Sequence, residues 1–421
     1  MNLKFLGGVR EVGRSATLVK HDSSSLLFDY GVLVGEEPGF PSHVAPKDIG
    51  GIIISHAHLD HSGATPLFYV SDRVPLYATQ LTLDLARLLI MDLLRLASYY
   101  LPFEYLDLET MLQSAIPSSF DNKWRKVGDL NFRLLNAGHI PGSVQALVKS
   151  RDGKSVLLTG DLNTKDTRLL SGAELPDEDL DAVVLESTYA VKQHEERGVL
   201  ERRFVDRCRE VIERGGTVLI PAFGVGRSQE ILCVLKGLKF EYPVLMDGMA
   251  KDASKILMKY PRYLRDSDLF KRAMSEAVWV KGWKARRKAL KEGKKVIVAP
   301  AGMLKGGIAA FCAEKMLMEK ENAVFLVSYQ IPGSPGHELL EKSTFIIDGE
   351  ARKVEAKVEH FDFSSHCGEE DLDDFVKSLK GNPTVYTVHG EESSCTSFAE
   401  RIEQNIGLKA IAPRAGEIYS I

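Results

Sequence analysis

The sequence predicts an α/β protein in which one domain is inserted into another, and two changes of pattern along the chain support this. Up to about residue 190, short β runs alternate with turns rich in Gly, Asp and Ser, which is typical of a strand-rich domain. Strands then alternate with helices, a rhythm that predicts a parallel sheet with helices on its faces. From about residue 345 the first pattern returns, which indicates that the α/β domain is inserted into the strand-rich one.

The individual elements follow from hydrophobic spacing and from the residues that interrupt it. The leucines of residues 80–97 recur at helical spacing, and Gly215-Gly216 closes a helix at 194–214. Further helices are predicted at 226–238 and 369–379. The predicted strands are 16–20, 25–29, 51–54, 131–136, 144–149, 155–159, 182–185, 217–220, 244–246, 296–299, 323–328, 344–347, 356–360 and 384–388.

The composition is that of an ordinary soluble globular protein. The chain has 421 residues, of which 44% are hydrophobic and 27% are charged, and this length suffices for two cores. No apolar run approaches the roughly 20 residues that cross a bilayer, and the first residues lack the pattern of an export signal. The five cysteines are scattered without a CxxC pair, which favours a reducing compartment. We therefore expect a cytoplasmic protein that does not enter a membrane.

One segment is strongly basic, although the net charge of the whole chain is −4. Residues 251–295 hold fifteen Lys or Arg and five Asp or Glu, a net charge of +10 that leaves −14 for the remainder. Such a segment predicts contact with a polyanion, although a solvated helical face is an equally good interpretation. Tyr260, Tyr263, Trp279 and Trp283 lie among the charges, which fits either a single-stranded nucleic acid track or helix packing.

The strongest signal is a run of metal-competent side chains that follows an apolar strand. His56, His58, Asp60 and His61 occupy four of six consecutive positions. Strand alternation places His56 and His58 on the same side, where their imidazoles can share one ion. Asp60 and His61 lie further along the turn and can reach a second ion. The run therefore predicts a hydrolase with two metal ions.

Six further polar side chains come just after predicted β runs, where a sheet delivers side chains to a common edge. Taken singly, an Asp after a strand is more often a turn former, so the prediction depends on the agreement of all six. They are Asp29, His139, Asp161, Glu186, His366 and His389.

These motifs resemble those of a known family. The HxHxDH run, with a downstream His and then an Asp, resembles the metallo-β-lactamase fold. The motif at 186–189, together with His366 and His389, matches the additional motifs of its β-CASP subfamily, and the stretches 7–15, 221–227 and 299–304 agree. The resemblance implies an αββα sandwich formed by residues 1–190 and 359–421, with an inserted β-CASP α/β domain at 191–358. It also implies a short prokaryotic or archaeal form without extra RNA-binding domains. His389 at the last motif favours the RNA-processing branch.

The resemblance also implies a role for each of these residues. Two zinc ions would share seven ligands: His56, His58 and His139 for one ion, Asp60, His61 and His389 for the other, and Asp161 for both. Asp29 would orient a ligand imidazole. Glu186 and His366 would form a pair near the leaving group. The candidate catalytic residues are thus Glu186 and His366, and also the metal ligand Asp60. Ser364, close to His366 in the motif, is a candidate substrate contact.

The implied activity is hydrolysis of RNA phosphodiester bonds in RNA processing or decay. A hydroxide bridging the two zinc ions would attack phosphorus, and His366, polarised by Glu186, would act as general acid or phosphate ligand. The insert would cover the metal site. From the basic segment 251–295 we expect Arg286 and Arg287 to contact single-stranded RNA. A homodimer or a larger RNA-processing complex is a further expectation.

Other interpretations stay open at this point. A hydrolase of the same superfamily that acts on a lactam or thioester would not need the basic insert. A non-catalytic subunit would be expected to lack part of the ligand set. The sequence does not decide between endonuclease and 5′→3′ exonuclease activity, because both would use the same metal site, nor between zinc and another divalent metal.

Overall fold

The computed structural model describes residues 1–35, 37–97 and 100–421, which form two compact units. The first unit contains Met1–Asp166, Gly172–Gln193 and Ser365–Ile421, and the second contains Thr167–Ser171 and His194–Ser364. The domain boundaries after residues 190 and 358 stay a prediction. The sequence did not predict that the segment Thr167–Ser171 packs with the second unit.

Strands and helices follow one another along both units. The strands, in chain order, are β1 (Asn2–Gly7), β2 (Ala16–His21), β3 (Ser24–Phe28), β4 (Gly51–Ile53), β5 (Leu76–Ala78), β6 (Ala115–Pro117), β7 (Arg125–Val127), β8 (Leu130–Asn136), β9 (Val144–Ser150), β10 (Ser155–Leu158), β11 (Asp179–Glu186), β12 (Thr217–Pro221), β13 (Val244–Met246), β14 (Val278–Trp279), β15 (Lys295–Ala299), β16 (Ala323–Leu326), β17 (Thr344–Ile347), β18 (Glu350–Lys353), β19 (Lys357–His360), β20 (Lys380–Val388), β21 (Ala410–Ile411) and β22 (Ile418–Ser420). The helices are α1 (Leu59–Ser62), α2 (Gln80–Leu96), α3 (Tyr105–Gln113), α4 (Arg197–Glu213), α5 (Arg227–Gly237), α6 (Ala250–Leu257), α7 (Ser267–Glu276), α8 (Gly282–Lys291), α9 (Gly307–Met316), α10 (Pro335–Lys342), α11 (Glu369–Ser378) and α12 (Glu392–Arg401). No helix among the described residues is long and apolar enough to cross a bilayer.

The first unit is built on two sheets that share a core. Their strand orders are β22-β1-β2-β3-β4-β5-β6 and β21-β20-β11-β10-β9-β8-β7. The side chains of β9 pack alternately into two different cores, because successive side chains of a strand point to opposite faces of the sheet. Ala146 and Val148 pack in the core that contains Phe5 of the other sheet, whereas Leu147 packs with Phe375 of α11.

The second unit is a parallel α/β domain. Its sheet has the order β14-β13-β15-β12-β16-β19, and each pair of neighbouring strands is parallel. Its inner strands contain short apolar runs such as residues 296–299 of β15, as expected for a sheet buried on both faces. One core cluster joins Ile297 and Val324 of the sheet to Cys312 of α9. The alternation of helices and strands confirms the α/β class predicted for this part of the chain.

Candidate metal centre

The site lies in the first unit, where strands of both sheets end. Strands β3 and β4 are parallel, and so are β10, β11 and β20, so their carboxyl ends meet at a common edge. Asp29 and His389 each follow one of these strands in the left-handed region, with φ of 61° and 50°, a conformation that is uncommon outside glycine. The structure brings together the predicted residues Asp29, His56, His58, Asp60, His61, His139, Asp161, Glu186, His366 and His389.

The HxHxDH run adopts a loop and a helical turn rather than a continued strand. Strand β4 already ends at Ile53, and Asp60 and His61 lie in α1. The prediction that strand alternation places His56 and His58 on the same side is therefore wrong, because neither residue lies in a strand. The loop still places His56 Nε2 3.1 Å from His58 Nδ1.

A first group of four ligand atoms surrounds one point. His139 Nε2 lies 3.2 Å from His58 Nδ1, and Asp161 Oδ2 lies 3.5 Å from His56 Nε2 and 3.4 Å from His139 Nε2. Atoms bound to a tetrahedral ion at about 2.0–2.1 Å are themselves about 3.3–3.4 Å apart. The spacing of His56, His58, His139 and Asp161 therefore fits a divalent metal ion.

A second group lies on the other side of Asp161. His61 Nε2 is 3.2 Å from Asp161 Oδ1 and 3.3 Å from His389 Nε2, and Asp60 Oδ2 is 3.4 Å from His389 Nε2 and 4.0 Å from His61 Nε2. The two carboxylate oxygens of Asp161 thus face different groups. A carboxylate placed in this way could contact a cation in either group.

Burial favours the neutral form that metal binding needs for two of the imidazoles, whereas neighbouring carboxylates favour the protonated form of His61. Burial lowers the pKa of His56 and His139 well below the ordinary value, which favours the neutral form that donates a lone pair. Burial also opposes charge on His61, but the carboxylates of Asp161 and Asp29 outweigh it and raise the pKa of His61. A cation at this point would take the place of that proton.

Asp29 orients the imidazole of His61. Its Oδ2 lies 2.7 Å from His61 Nδ1, while Ser55 donates to Asp29 from its backbone nitrogen at 2.7 Å and from its hydroxyl at 2.8 Å. The carboxylate is buried, and burial raises its pKa although His61 and Ser55 oppose this shift. The Nδ1 contact turns Nε2 of His61 toward Asp161, in line with the role predicted for Asp29.

We expect Asp29→Asn to weaken metal binding by about 10- to 100-fold, because the amide keeps the shape of the side chain but removes the charge that holds His61. Competition against a chromophoric chelator measures this affinity. Asp48→Asn, at an exposed aspartate, is the matched control. Equal affinity of the Asp29→Asn variant and the parent would contradict the orienting role.

Glu186 and His366 form a pair next to the first group. His366 Nδ1 lies 2.9 Å and 3.0 Å from the two carboxylate oxygens of Glu186. Glu186 is buried and also accepts hydrogen bonds from the backbone nitrogens of Leu162 and Thr188, at 2.7 Å and 3.3 Å. His366 Nε2 lies 4.0 Å from Asp161 Oδ2, and 18% of the side chain is exposed. Nε2 of His366 therefore faces the metal-ligand groups and is also accessible to a substrate from solvent.

Two polar neighbours of the ligands were not predicted. Ser55 Oγ lies 3.0 Å from His56 Nδ1, and Thr188 Oγ1 donates to the His389 carbonyl oxygen at 3.0 Å. Ser55 directly precedes the HxHxDH run, and Thr188 lies within the motif at 186–189, so these motifs were the available signal. Ser364 lies in the second unit, where its carbonyl oxygen accepts a hydrogen bond from Arg197 at 3.4 Å, and its substrate contact stays a prediction.

Comparisons with family models agree with this geometry along most of the chain. The model of the metallo-β-lactamase superfamily matches residues 9–194, that of the β-CASP domain matches residues 228–339, and that of the Zn-dependent metallo-hydrolase RNA specificity domain matches residues 352–413. The two sheets and the His/Asp groups thus define a metal-dependent hydrolase of the metallo-β-lactamase fold. The chain belongs to the β-CASP family of this superfamily, as its motifs predicted.

Two relatives and one solved structure illustrate how far the similarity extends. RNase aCSPSF2 of Saccharolobus solfataricus is 40% identical over 423 residues, which cover 100% of this chain and 85% of that protein. Probable RNase MJ4 of Methanocaldococcus jannaschii is 34% identical, with 99% of each chain covered. A solved structure of a protein of unknown function from Enterococcus faecalis V583 has a TM-score of 0.64 at 14% identity, covering 100% of this chain and 99% of that one, and shares the fold.

Proposed function

We propose that the chain is a ribonuclease that hydrolyses phosphodiester bonds of single-stranded RNA. The observation that carries this proposal is the Glu186–His366 pair beside the two groups of metal ligands. The pair suits a phosphodiester, because the departing oxygen of this bond needs a proton. The match to an RNA specificity domain and the relatives named as RNases support RNA as the substrate class.

We propose zinc as the metal, with two ions per chain. Neutral imidazoles and carboxylates suit zinc, and the spacing of the first group fits its tetrahedral preference. All five cysteines are free and buried, and none belongs to the ligand groups found among the described residues. Such ions, when bound, lower the pKa of a water molecule to about 7 and offset the charge of a phosphate group. The ligands would be His56, His58, His139, Asp60, His61 and His389, with Asp161 between the ions.

The chain itself supplies the proton for the leaving group. Glu186 accepts a hydrogen bond from Nδ1–H of His366, so the proton available to a substrate is on Nε2. A protonated His366 donates it to the departing 3′ oxygen, and the buried Glu186 carboxylate stabilises the imidazolium before transfer. The products then carry a 5′-phosphate and a 3′-hydroxyl.

Digestion of one RNA, labelled at its 5′ end and offered as monophosphate or triphosphate, tests this function. We expect cleavage that stops with a chelator and returns with added zinc. Release of mononucleotides only from the monophosphate would identify a 5′→3′ exonuclease, and internal cuts indifferent to the 5′ end would identify an endonuclease. RNA that stays intact at saturating zinc would refute the proposal.

The basic helix α8 of the second unit supplies an RNA-binding surface, but not through every residue predicted for it. Arg286 is only 8% exposed, and its guanidinium is paired with the buried Asp247 at 2.6 Å and 3.0 Å. The prediction that Arg286 contacts RNA is therefore wrong, because the side chain serves an internal ion pair whose disruption typically costs about 3–5 kcal/mol. Lys284 and Arg287 are exposed, and Trp283 beside them is 55% exposed.

Reversing the charges of Lys284 and Arg287 together, as Lys284→Glu with Arg287→Glu, is expected to weaken RNA binding without unfolding the chain. Each lost phosphate contact lowers the slope of log K against log[salt] by about 0.7, and fluorescence anisotropy at several salt concentrations measures it. Lys320→Glu with Lys353→Glu, at exposed lysines of the same unit, gives the same net charge as a control. If both double variants bind equally, α8 does not contact RNA.

A further inference from the structure

The first unit has an open depression at the end of the β7–β8–β9 part of its second sheet that lies away from the metal centre. Strands β8 and β9 are antiparallel, and their pairing runs from Asn136 with Val144, near His139, to Leu130 with Ser150. The seven residues of β9 span about 20 Å. The depression at the far end has a volume of about 750 Å³. It is lined by Trp124, Lys126, Asp129, Asn131, Lys149, Ser150, Arg151 and Glu178.

The depression follows from the side-chain pattern at the β7 edge of the sheet. Asn131 pairs with Lys126 on one side and with Lys149 on the other, so the three side chains share one face of the sheet. Leu147 also lies on this face, under α11 and α12. Toward β7 the face becomes polar, and Trp124 there remains 41% exposed. The indole is therefore accessible to a ligand.

The basic side chains around Trp124 fall into two kinds. Lys149 and Arg133 both form ion pairs with Glu178, and their charged groups lie 5.2 Å and 5.5 Å from the centre of the indole ring. These contacts hold the ring in place. Lys126 and Arg151, by contrast, are exposed, and neither forms an ion pair with another residue in the described part of the chain. Their charges are available to an anion.

We propose that this depression binds a segment of single-stranded RNA, with a base stacked on Trp124 and the backbone phosphates at Lys126 and Arg151. The proposal rests on the proposed function, since it assumes that RNA is the substrate. It adds a contact remote from the metal centre, through which the chain would hold a long RNA while a distant phosphodiester bond is cleaved. Short RNAs would not reach it.

The pairing of an aromatic ring with free cations favours RNA over an acidic peptide. Every nucleobase offers a flat π surface to an indole, and each nucleotide places a phosphate within reach of a neighbouring cation. An acidic peptide matches the cations but supplies no planar group to cover Trp124. Competition by poly-glutamate as effectively as by RNA, undiminished in a Trp124→Leu variant, would overturn the assignment.

Binding of fluorescent oligouridylate to the metal-free full-length chain tests the proposal, because it does not depend on catalysis. We expect about tenfold weaker binding for Trp124→Leu, from the loss of one stacked base, and near-parent binding for Trp124→Tyr, which keeps a ring. Lys126→Gln with Arg151→Gln should lower the salt slope by about 0.7 for each lost contact. Lys20→Gln, at an exposed lysine of β2, is the control for loss of charge.

A cleavage assay separates this proposal from the proposed function. With zinc present, Trp124→Leu should impair cleavage of a long RNA at low concentration but leave cleavage of a tetranucleotide unchanged. A parent chain that binds RNA yet cuts neither substrate would refute the ribonuclease function and leave the binding result standing. Equal affinities of Trp124→Leu, Trp124→Tyr and the parent would refute the Trp124 site, whatever the cleavage assay shows.

Discussion

A chain with His366→Ala is expected to cleave RNA about 10²- to 10⁴-fold more slowly than the parent while it keeps its metal. The loss follows because the departing oxygen no longer receives a proton from Nε2. Metal should be retained, since His366 belongs to neither of the two ligand groups formed by His56, His58, His139 and Asp161 and by Asp60, His61 and His389. Single-turnover cleavage and metal analysis by mass spectrometry, performed on the same sample, measure the two quantities.

His43→Ala serves as the control, because His43 is an exposed histidine. Glu186→Gln should fall between the parent and His366→Ala, because the amide can keep a contact to Nδ1 but no longer stabilises a charged ring. Its pH–rate profile should differ from that of the parent, which a purely structural defect would not produce. Parent-like cleavage by His366→Ala would remove His366 from the proton transfer.

Asp161→Asn is expected to have the largest effect on metal content. Each of the two carboxylate oxygens of Asp161 faces a different ligand group. Burial raises the pKa of Asp161, but the surrounding imidazoles outweigh this effect and hold the pKa well below its usual value. A neutral amide removes that shared charge, so we expect fewer than one ion per chain, compared with the two ions that we propose for the parent. Cleavage should fall by at least about 10³-fold, as several kcal/mol of electrostatic stabilisation are lost.

Metal analysis after gel filtration at a fixed zinc concentration checks this expectation, with Asp48→Asn as the exposed control. Circular dichroism establishes that Asp161→Asn is folded, because a loss of metal through unfolding carries no information about the bridge. If Asp161→Asn, folded, retains two ions per chain, the bridging assignment is wrong. A parent chain with fewer than one ion would refute the two-metal proposal itself.

Local sequence pattern was sufficient for the parts of the site that depend on short spacing. Four ligands within His56–His61 could be recognised because their side chains are close in any compact conformation of six residues. The more distant members, such as Asp161 and His389, could be predicted because parallel strands end at a common edge, and each follows an apolar run. The helical turn α1 could not be predicted, since four residues carry no helical periodicity.

Burial and strand register, in contrast, are properties of the tertiary structure. Arg286 and Arg287 are adjacent arginines that the sequence does not distinguish. In α8, Arg286 faces Asp247 and Arg287 faces solvent, so only the structure assigns their roles. The sequence likewise offers five candidate ligand imidazoles without showing which one Asp29 contacts; the fold places that carboxylate against His61. The lining residues of the Trp124 depression converge because β7, β8 and β9 pair in one register. The sequence by itself thus determined the family and the chemistry of the metal centre, while long-range packing decided the orientation of each ligand and which charges face solvent.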